Sequence, residues 1–171
     1  MQMQVRHPDS DDAAAMGRVH VRAWQAAYRS IMPDQYLDNL SADDRGSMWR
    51  RHIDGGGWSG LYVAVTEAGT VGFAAFGRCN DDGASAKEGQ IYAINLDPDH
   101  WGKGIGRALL RAATSELARQ GFESLILWVV PGNSRAIGLY ESERWKSDDV
   151  NRDEEVLGVV VREGRYRLPL G

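Results

Sequence analysis

The chain has 171 residues, of which 43% are hydrophobic and 26% are charged, and its formal net charge is −4. This length and composition predict one well-cored domain over residues 1–171, and the acidic balance gives no electrostatic reason to expect nucleic acid or an anionic membrane as a partner. No apolar stretch approaches the ~20 residues of a membrane span, and no signal-peptide core is present. Cys79 is the only cysteine, so an internal disulfide is excluded. We therefore expect a cytoplasmic protein.

Helical signals dominate the first third of the sequence. In chain order, the predicted elements are a short strand over 3–6, a helix with an apolar stripe over 14–28, a second short helix with Pro33 in its first turn, and a third helix that Ser41 begins and the glycines at 55–57 end.

From Leu61 onward the hydrophobic pattern changes to the period of strands. The predicted elements are a hairpin of strands 61–65 and 71–76 with a turn over 67–70, a strand over 90–96, a helix over 104–120 that Gly121 ends, a strand over 124–130, a helix over 133–143, and at least one strand within 156–168. The strand over 90–96 is apolar on both faces, so we expect it at the centre of the sheet. This order predicts an α/β protein with a mixed sheet.

Three alternate glycines separate that central strand from the helix after it. Gly102, Gly104 and Gly106 stand in the run D-H-W-G-K-G-I-G-R-A-L-L over 99–110. Glycines at a helix start leave backbone N–H groups uncovered, and the helix dipole adds partial positive charge at the same place. One glycine would suffice for a tight turn, so three indicate a site for a pyrophosphate-bearing ligand.

Two common phosphate loops do not fit this run. A P-loop requires G-x-x-x-x-G-K-[ST], but Gly104 follows Lys103 and no glycine lies five residues before Gly102. A dinucleotide fingerprint requires G-x-G-x-x-G, but Arg107 occupies the third glycine position. The run instead resembles the acyl-CoA-binding element of the GNAT superfamily of N-acetyltransferases, Q/R-x-x-G-x-G/A, with Trp101 standing where Gln or Arg is usual.

This resemblance implies the GNAT fold, a mixed twisted sheet of about six to seven strands flanked by helices, with acetyl-CoA as co-substrate and no metal. It places the cofactor's pyrophosphate on backbone N–H groups of the loop. The cofactor-binding residues that it implies in this part of the chain are Ile94, Leu96, Trp101, Gly102, Lys103, Gly104, Ile105, Gly106 and Arg107.

A second segment resembles the same family's N-x-x-A-x-x-x-Y element. Asn133, Ala136 and Tyr140 lie at i, i+3 and i+7, so they share one helix face, and the small alanine leaves a groove for a thin pantetheine arm. The resemblance implies that these residues bind the cofactor and that the Tyr140 hydroxyl faces the thioester sulfur, where a neutral phenol can protonate the departing thiolate. Arg144 stands where the family usually has glycine, before Trp145.

The general base is the weakest part of the resemblance. Many relatives use a glutamate on the central strand, but Gln90 occupies that position and cannot accept the proton of the amine. Glu88 lies two residues earlier on the same strand face and is our candidate, acting through water; a solvated charge at the strand end is its other interpretation. His20, His52, the C-terminal strand, or an amine that binds already neutral, are the remaining alternatives.

The N-terminal helices and the residues at 165–170 also resemble this family, so the likeness covers nearly the whole chain. It implies an N-acetyltransferase that acts on a primary amine of a small molecule or peptide by direct attack in a ternary complex, and a homodimer is expected. A non-catalytic acyl-CoA-binding or sensor domain is the alternative, because of Gln90. The absent third glycine argues against a nucleotide-binding oxidoreductase. Cys79 has no recognisable histidine partner, so we expect an inert thiol.

Overall fold

A computed structural model describes residues 2–156 and 158–171, and within them the chain forms seven strands and five α-helices. The strands are β1 (Gln4–Arg6), β2 (Leu61–Thr66), β3 (Gly69–Arg78), β4 (Glu88–Leu96), β5 (Ser124–Val129), β6 (Lys146–Val156) and β7 (Val159–Pro169). The helices are α1 (Ala13–Tyr28), α2 (Asp34–Asp38), α3 (Ala42–Asp54), α4 (Ile105–Arg119) and α5 (Ser134–Ser142). None of these helices is long and apolar enough to cross a lipid bilayer.

The seven strands form one mixed sheet in the order β1-β2-β3-β4-β5-β7-β6. β4 pairs with β5 in parallel, while β1–β2, β2–β3, β5–β7 and β6–β7 pair antiparallel. β4 is fourth in the order, which confirms the central position expected from its apolar residues. The predicted α/β class and the mixed sheet of six to seven strands are likewise confirmed.

Several strand boundaries differ from the expectation by one or two residues, and one whole strand was not expected. The hairpin turn is 67–68 rather than 67–70, because Gly69 (φ 95°) and Thr70 already pair with β2. No strand was expected over 146–155, and that was wrong: Lys146–Val156 forms β6 at one edge of the sheet. Its sequence K-S-D-D-V-N-R-D-E-E-V lacks apolar alternation, and charged residues are a usual feature of edge strands.

The chain divides into two compact units, of which the first comprises the chain up to Phe76 together with Ala93–Ser115. Its core is a cluster of buried side chains from α1, α3, β2 and β3: Ala13, Met16, Val19, Trp49, Ile53, Leu61, Val63, Phe73 and Ala75. The two helices approach closely at Gly17, where an added Cβ would overlap the backbone of Ala42 and Gly46. Glycine at position 17 therefore allows this helix crossing.

The second unit comprises Gly77–Tyr92 together with Glu116–Gly171. Its buried side chains include Leu117, Leu125, Ile126, Leu127, Val129, Tyr140 and Trp145. The rings of Tyr140 and Trp145 lie 6.3 Å apart. Tyr140 on α5 and Trp145, which follows this helix, are therefore both part of the buried core of the unit.

Candidate functional site

In the first unit, β4 ends at Leu96 and leads through a short 3-10 helix (Pro98–His100) to the glycine loop. Gly102 and Gly104 have φ angles of 75° and 82°, a left-handed conformation that glycine adopts without steric penalty. Helix α4 begins directly afterwards, at Ile105. The predicted strand, glycine turn and helix are therefore confirmed as local structure.

The backbone N–H groups of this loop are uncovered. Within the described chain, no hydrogen bond to another protein group is found from the N–H groups of residues 102–106. Further along the helix, the Ala108 N–H donates to the Gly104 carbonyl at 3.1 Å. A Cβ added at Gly102 or Gly104 would meet nothing within 4 Å, so the space above the loop is open. Free N–H groups at a helix N-terminus form a binding site for anions.

Side chains from the same unit hold the loop in place. The Trp101 indole N–H donates to the Leu96 carbonyl at 3.0 Å, which ties the start of the loop to the end of β4. Arg22 on α1 contacts the carboxylates of Asp97 at 3.3 Å and Asp99 at 3.0 Å. Trp101 stands where the family usually has Gln or Arg, and its indole N–H therefore stabilises the loop conformation.

Ile94 and Leu96 lie on the last part of β4. The parallel ladder between β4 and β5 runs from Glu88–Ser124 to Gln90–Ile126, while both strands continue beyond it. Ile94 and Leu96 are half-buried and come after the last residue of that ladder.

In the second unit, Asn133, Ala136 and Tyr140 lie on α5 or at its start, as the spacing predicts. Asn133 is the N-cap of this helix, and its side-chain carbonyl accepts from the Ala136 N–H at 3.3 Å. Tyr140 is 8% exposed. Arg144 adopts φ 72°, the left-handed conformation that glycine usually supplies, so the turn before Trp145 is kept despite the arginine.

Glu88 is not the solvated strand-end charge of its alternative interpretation. Its side chain is 14% exposed and forms an ion pair with Arg167 on β7. The Ser124 hydroxyl donates to the same carboxylate oxygen at 3.4 Å. Gln90, two residues on, is buried, and its side-chain carbonyl accepts from the Asn80 N–H at 3.3 Å, so this amide has a structural role.

Tyr92 lies on β4 two residues after Gln90, on the same strand face, and its ring packs against Gly77. Its hydroxyl donates to the Arg78 carbonyl. A Cβ added at Gly77 would lie 2.9 Å from the Tyr92 hydroxyl oxygen and 3.3 Å from its ring, so the ring occupies the space of a side chain at 77.

Charged residues on β6 were not among the sequence-based candidates, whereas the C-terminal strand, β7, was named as a possible source of the base. Asp148 accepts from Arg165 at 2.8 Å, and its Oδ1 is buried without a hydrogen-bond partner in the described chain. Arg152 packs its guanidinium over the Trp128 ring. In the strand register Arg152 lies opposite Glu163, and Asp148 falls in the irregular stretch between Ser147 and Asn151. These positions could not be expected from the sequence, because it did not predict β6.

Burial shifts the pKa values of His20, a candidate base, and Cys79, a candidate nucleophile, in opposite directions. Burial, with a smaller contribution from Arg45, lowers the pKa of His20 to about 4, and its Nδ1 accepts from the Trp49 indole N–H at 3.4 Å. Burial raises the pKa of the Cys79 thiol, which favours the inert, protonated form. No group of three or more residues able to hold a metal ion is found in the described parts of the chain.

The mixed sheet has a strand, a glycine loop and a helix in succession at its centre. This is the α/β architecture that the resemblance to the N-acetyltransferases predicts. Residues 21–144 match the family model described as "Acetyltransferase (GNAT) family", which is more than half of the chain. The chain therefore belongs to the GNAT acetyltransferase family, as the resemblance predicted.

Curated relatives agree with this assignment. The uncharacterized N-acetyltransferase YuaI of Bacillus subtilis (strain 168) is 32% identical over 162 residues, which cover 93% of this chain and 88% of that protein. A mycothiol acetyltransferase of Propionibacterium freudenreichii is 42% identical over 84 residues, which cover 48% of this chain but only 26% of that longer protein.

Solved structures share the fold. A PaiA N-acetyltransferase from Thermoplasma acidophilum, in complex with coenzyme A, superposes with a TM-score of 0.74 at 17% identity, covering 99% of this chain and 100% of that one. A putative acetyltransferase, yncA, from Salmonella typhimurium with its cofactor acetyl-CoA gives a TM-score of 0.70 at 20% identity, covering 99% and 94%.

Proposed function

We propose that this chain, as one catalytic domain, transfers the acetyl group of acetyl-CoA to a primary amine of a small molecule or peptide. The observation that supports this most is the run of uncovered backbone N–H groups over 102–106 at the N-terminus of α4. Family membership, and relatives whose structures hold coenzyme A or acetyl-CoA, support the choice of ligand.

The roles of the loop residues follow from their exposure. The pyrophosphate binds the N–H groups from Gly102 to Arg107, with the exposed Lys103 ammonium adding positive charge. Trp101 acts on the ligand indirectly by fixing the start of this loop, and the backbone of Ile94 and Leu96 hydrogen-bonds to the pantetheine arm. The space above Gly102 and Gly104 is open, so an anion can approach the loop there.

Residues of α5 contact the thioester end of the same ligand in this proposal. The Asn133 carbonyl already caps the helix, which leaves its NH2 group to donate to the pantetheine amides, and Ala136 leaves room beside it. The neutral amine attacks the thioester carbonyl in a ternary complex, so a C–N bond forms and the C–S bond breaks. Tyr140 gives its proton to the departing sulfur and regains one released by the new amide nitrogen.

Glu88 receives the proton that the acceptor ammonium loses before attack, through water. Its carboxylate is held by Arg167 and Ser124, so it is fixed in position on the strand face. Orientation of the two substrates and the N–H dipoles that polarise the thioester carbonyl supply most of the rate enhancement.

The test is Tyr140→Phe, with Tyr62→Phe as the matched loss of one hydroxyl elsewhere; Tyr62 stacks on His7 at 4.7 Å in the first unit. We expect Tyr140→Phe to lower kcat about 100-fold or more, because general acids contribute about 10²–10⁴. The Kd for acetyl-CoA should change by less than about threefold, because the hydroxyl acts on the leaving group.

Free coenzyme A release is measured with a panel of primary amines. Equal kcat values for wild type and Tyr140→Phe would remove Tyr140 as the acid. Tight binding of acetyl-CoA without release on any amine would instead identify the acyl-CoA sensor that Gln90 suggests.

A further inference from the structure

Two carboxylates come directly before the glycine loop, where we place the pyrophosphate of acetyl-CoA. Asp97 is the N-cap of the short 3-10 helix that follows β4, and Asp99 lies within that helix, three residues before Gly102. Because three residues span at most about 10 Å, the Asp99 charge lies close to the loop N–H groups. Carboxylates at such a distance repel a pyrophosphate, so they oppose the attraction that the free N–H groups provide.

Arg22 on α1 is the basic side chain that contacts both carboxylates. Its Nε lies 3.3 Å from the Asp97 Oδ2, and its Nη2 lies 3.0 Å from the Asp99 Oδ2. One guanidinium and two carboxylates have a formal charge of −1, which becomes −2 when the guanidinium is removed. Arg22, both carboxylates and the loop belong to the first unit, so this charge balance is set within one compact part of the chain.

Hydrogen bonds that do not involve Arg22 already fix the chain between β4 and the loop. The Asp97 N–H donates to the Val71 carbonyl on β3 at 2.8 Å. The Asp97 Oδ1 accepts from the Asp99 N–H at 2.9 Å, and the Trp101 indole N–H donates to the end of β4 at 3.0 Å. The loop is therefore held in position by four residues of its own surroundings, and a further tether from α1 adds little.

The ion pairs of Arg22 are weak as structural contacts. The Arg22 side chain is 49% exposed and that of Asp99 is 72% exposed, and exposed ion pairs contribute little to folding stability. The His100 Nδ1 lies 3.9 Å from the Asp97 Oδ1, which is beyond hydrogen-bond distance. Repulsion between a carboxylate and a bound anion, in contrast, acts over several ångströms and requires no fixed geometry. The contribution of Arg22 to this region is therefore its charge.

We propose that Arg22 is a positioning residue for acetyl-CoA, which neutralises Asp97 and Asp99 and so allows the pyrophosphate to bind the loop. This rests on the proposed function, in which the loop N–H groups bind that pyrophosphate. One charge about 10 Å from a doubly charged pyrophosphate changes Kd about threefold at ~10 mM ionic strength in the dielectric of water. The effect is larger where protein replaces part of the water, so we expect about fivefold or more.

Isothermal titration with coenzyme A at ~10 mM ionic strength compares Arg22→Met with wild type. Arg29→Met is the matched control, because the Arg29 side chain at the end of α1 is 44% exposed and also contacts two carboxylates, those of Asp34 at 3.4 Å and Asp38 at 2.7 Å. We expect Arg22→Met to weaken binding about fivefold or more and Arg29→Met to change it by less than about twofold.

Three further variants distinguish neutralisation from tethering. Arg22→Met combined with Asp99→Asn restores the formal charge of −1 without restoring the contact, so its Kd should lie within about twofold of wild type. Arg22→Lys keeps the charge but lacks the planar fork that contacts both carboxylates, and its Kd should also lie within about twofold of wild type. Asp99→Asn alone should bind coenzyme A at least as tightly as wild type. A tether would give the opposite result, because each of these variants breaks a contact of Arg22.

Urea unfolding of every variant shows that the compared proteins are folded. Equal affinities of wild type and Arg22→Met, or a double variant that binds as weakly as Arg22→Met, would overturn the role of Arg22 and leave the proposed function intact. A weaker Kd for Asp99→Asn than for wild type would likewise overturn it. Wild type that does not bind coenzyme A would refute the proposed function, and the role of Arg22 with it.

Discussion

Substituting Gly104 by alanine isolates the contribution of loop conformation to cofactor binding. Gly104 has φ 82°, and a Cβ there would meet nothing within 4 Å, so the substitution adds no steric clash. Its penalty is confined to the backbone: the left-handed conformation costs alanine about 1–2 kcal/mol. Gly56→Ala is the matched control, because Gly56 has φ 95° and is equally free of neighbours.

The size of the change in Kd depends on whether the free loop or the ligand-bound loop bears this conformational penalty. If the loop in Gly104→Ala relaxes to an ordinary conformation, its N–H groups no longer converge, and binding must supply about 1–2 kcal/mol to restore them. That corresponds to a factor of about 5–30 in Kd. Relaxation at Gly56 carries no such consequence, since the glycines that end α3 have no proposed contact with the ligand.

Isothermal titration with coenzyme A measures both variants, and urea unfolding shows whether they fold equally well. We expect Gly104→Ala to weaken coenzyme A binding about 5–30-fold and Gly56→Ala to leave it unchanged. Equal affinities for wild type and Gly104→Ala, with the variant folded, would refute the role of the loop N–H groups in binding pyrophosphate.

Two further predictions concern stability. The pKa of His20, lowered to about 4 mainly by burial, lies below the ~6.5 of an unfolded histidine, so the unfolded chain binds this proton first and stability should fall by up to about 3 kcal/mol as the pH drops from ~6.5 to ~4. Urea unfolding across this range should give a flatter profile for His20→Gln, and parallel profiles would contradict the assignment. Gly17→Ala should destabilise the chain by about 3 kcal/mol or more, because its Cβ would lie 2.8 Å from the Gly46 Cα across a helix crossing. Gly46→Ala meets that crossing only at 3.4 Å and should cost clearly less; equal melting temperatures for the two would show that the helices separate freely.

The elements that the sequence predicts best are those whose signal is local. Gly104 and Gly121 mark the start and end of α4 because left-handed backbone requires glycine there, and Asn133 marks the start of α5 as an N-cap. β6 lacked such a signal, because the half-buried face of this edge strand carries charged residues (Asp148, Arg152 and Glu154) in place of apolar ones.

The chemistry of the site was predictable only where it depends on spacing within one element. Tyr140 follows from its helical register with Asn133. The partners of Glu88 do not, since Arg167 is 79 residues away in the sequence and meets it only through strand pairing. The contact between Asp81 and Arg152 was missed for the same reason, since they are 71 residues apart and Arg152 lies on a strand that was not predicted.

The packing of Tyr92 over Gly77 has an evolutionary consequence. Because the phenol ring fills the space of a side chain at 77, neither position can change alone without losing the bond to the Arg78 carbonyl. Natural homologues should therefore show linked substitutions here, with any residue larger than glycine at 77 accompanied by a shorter side chain at 92.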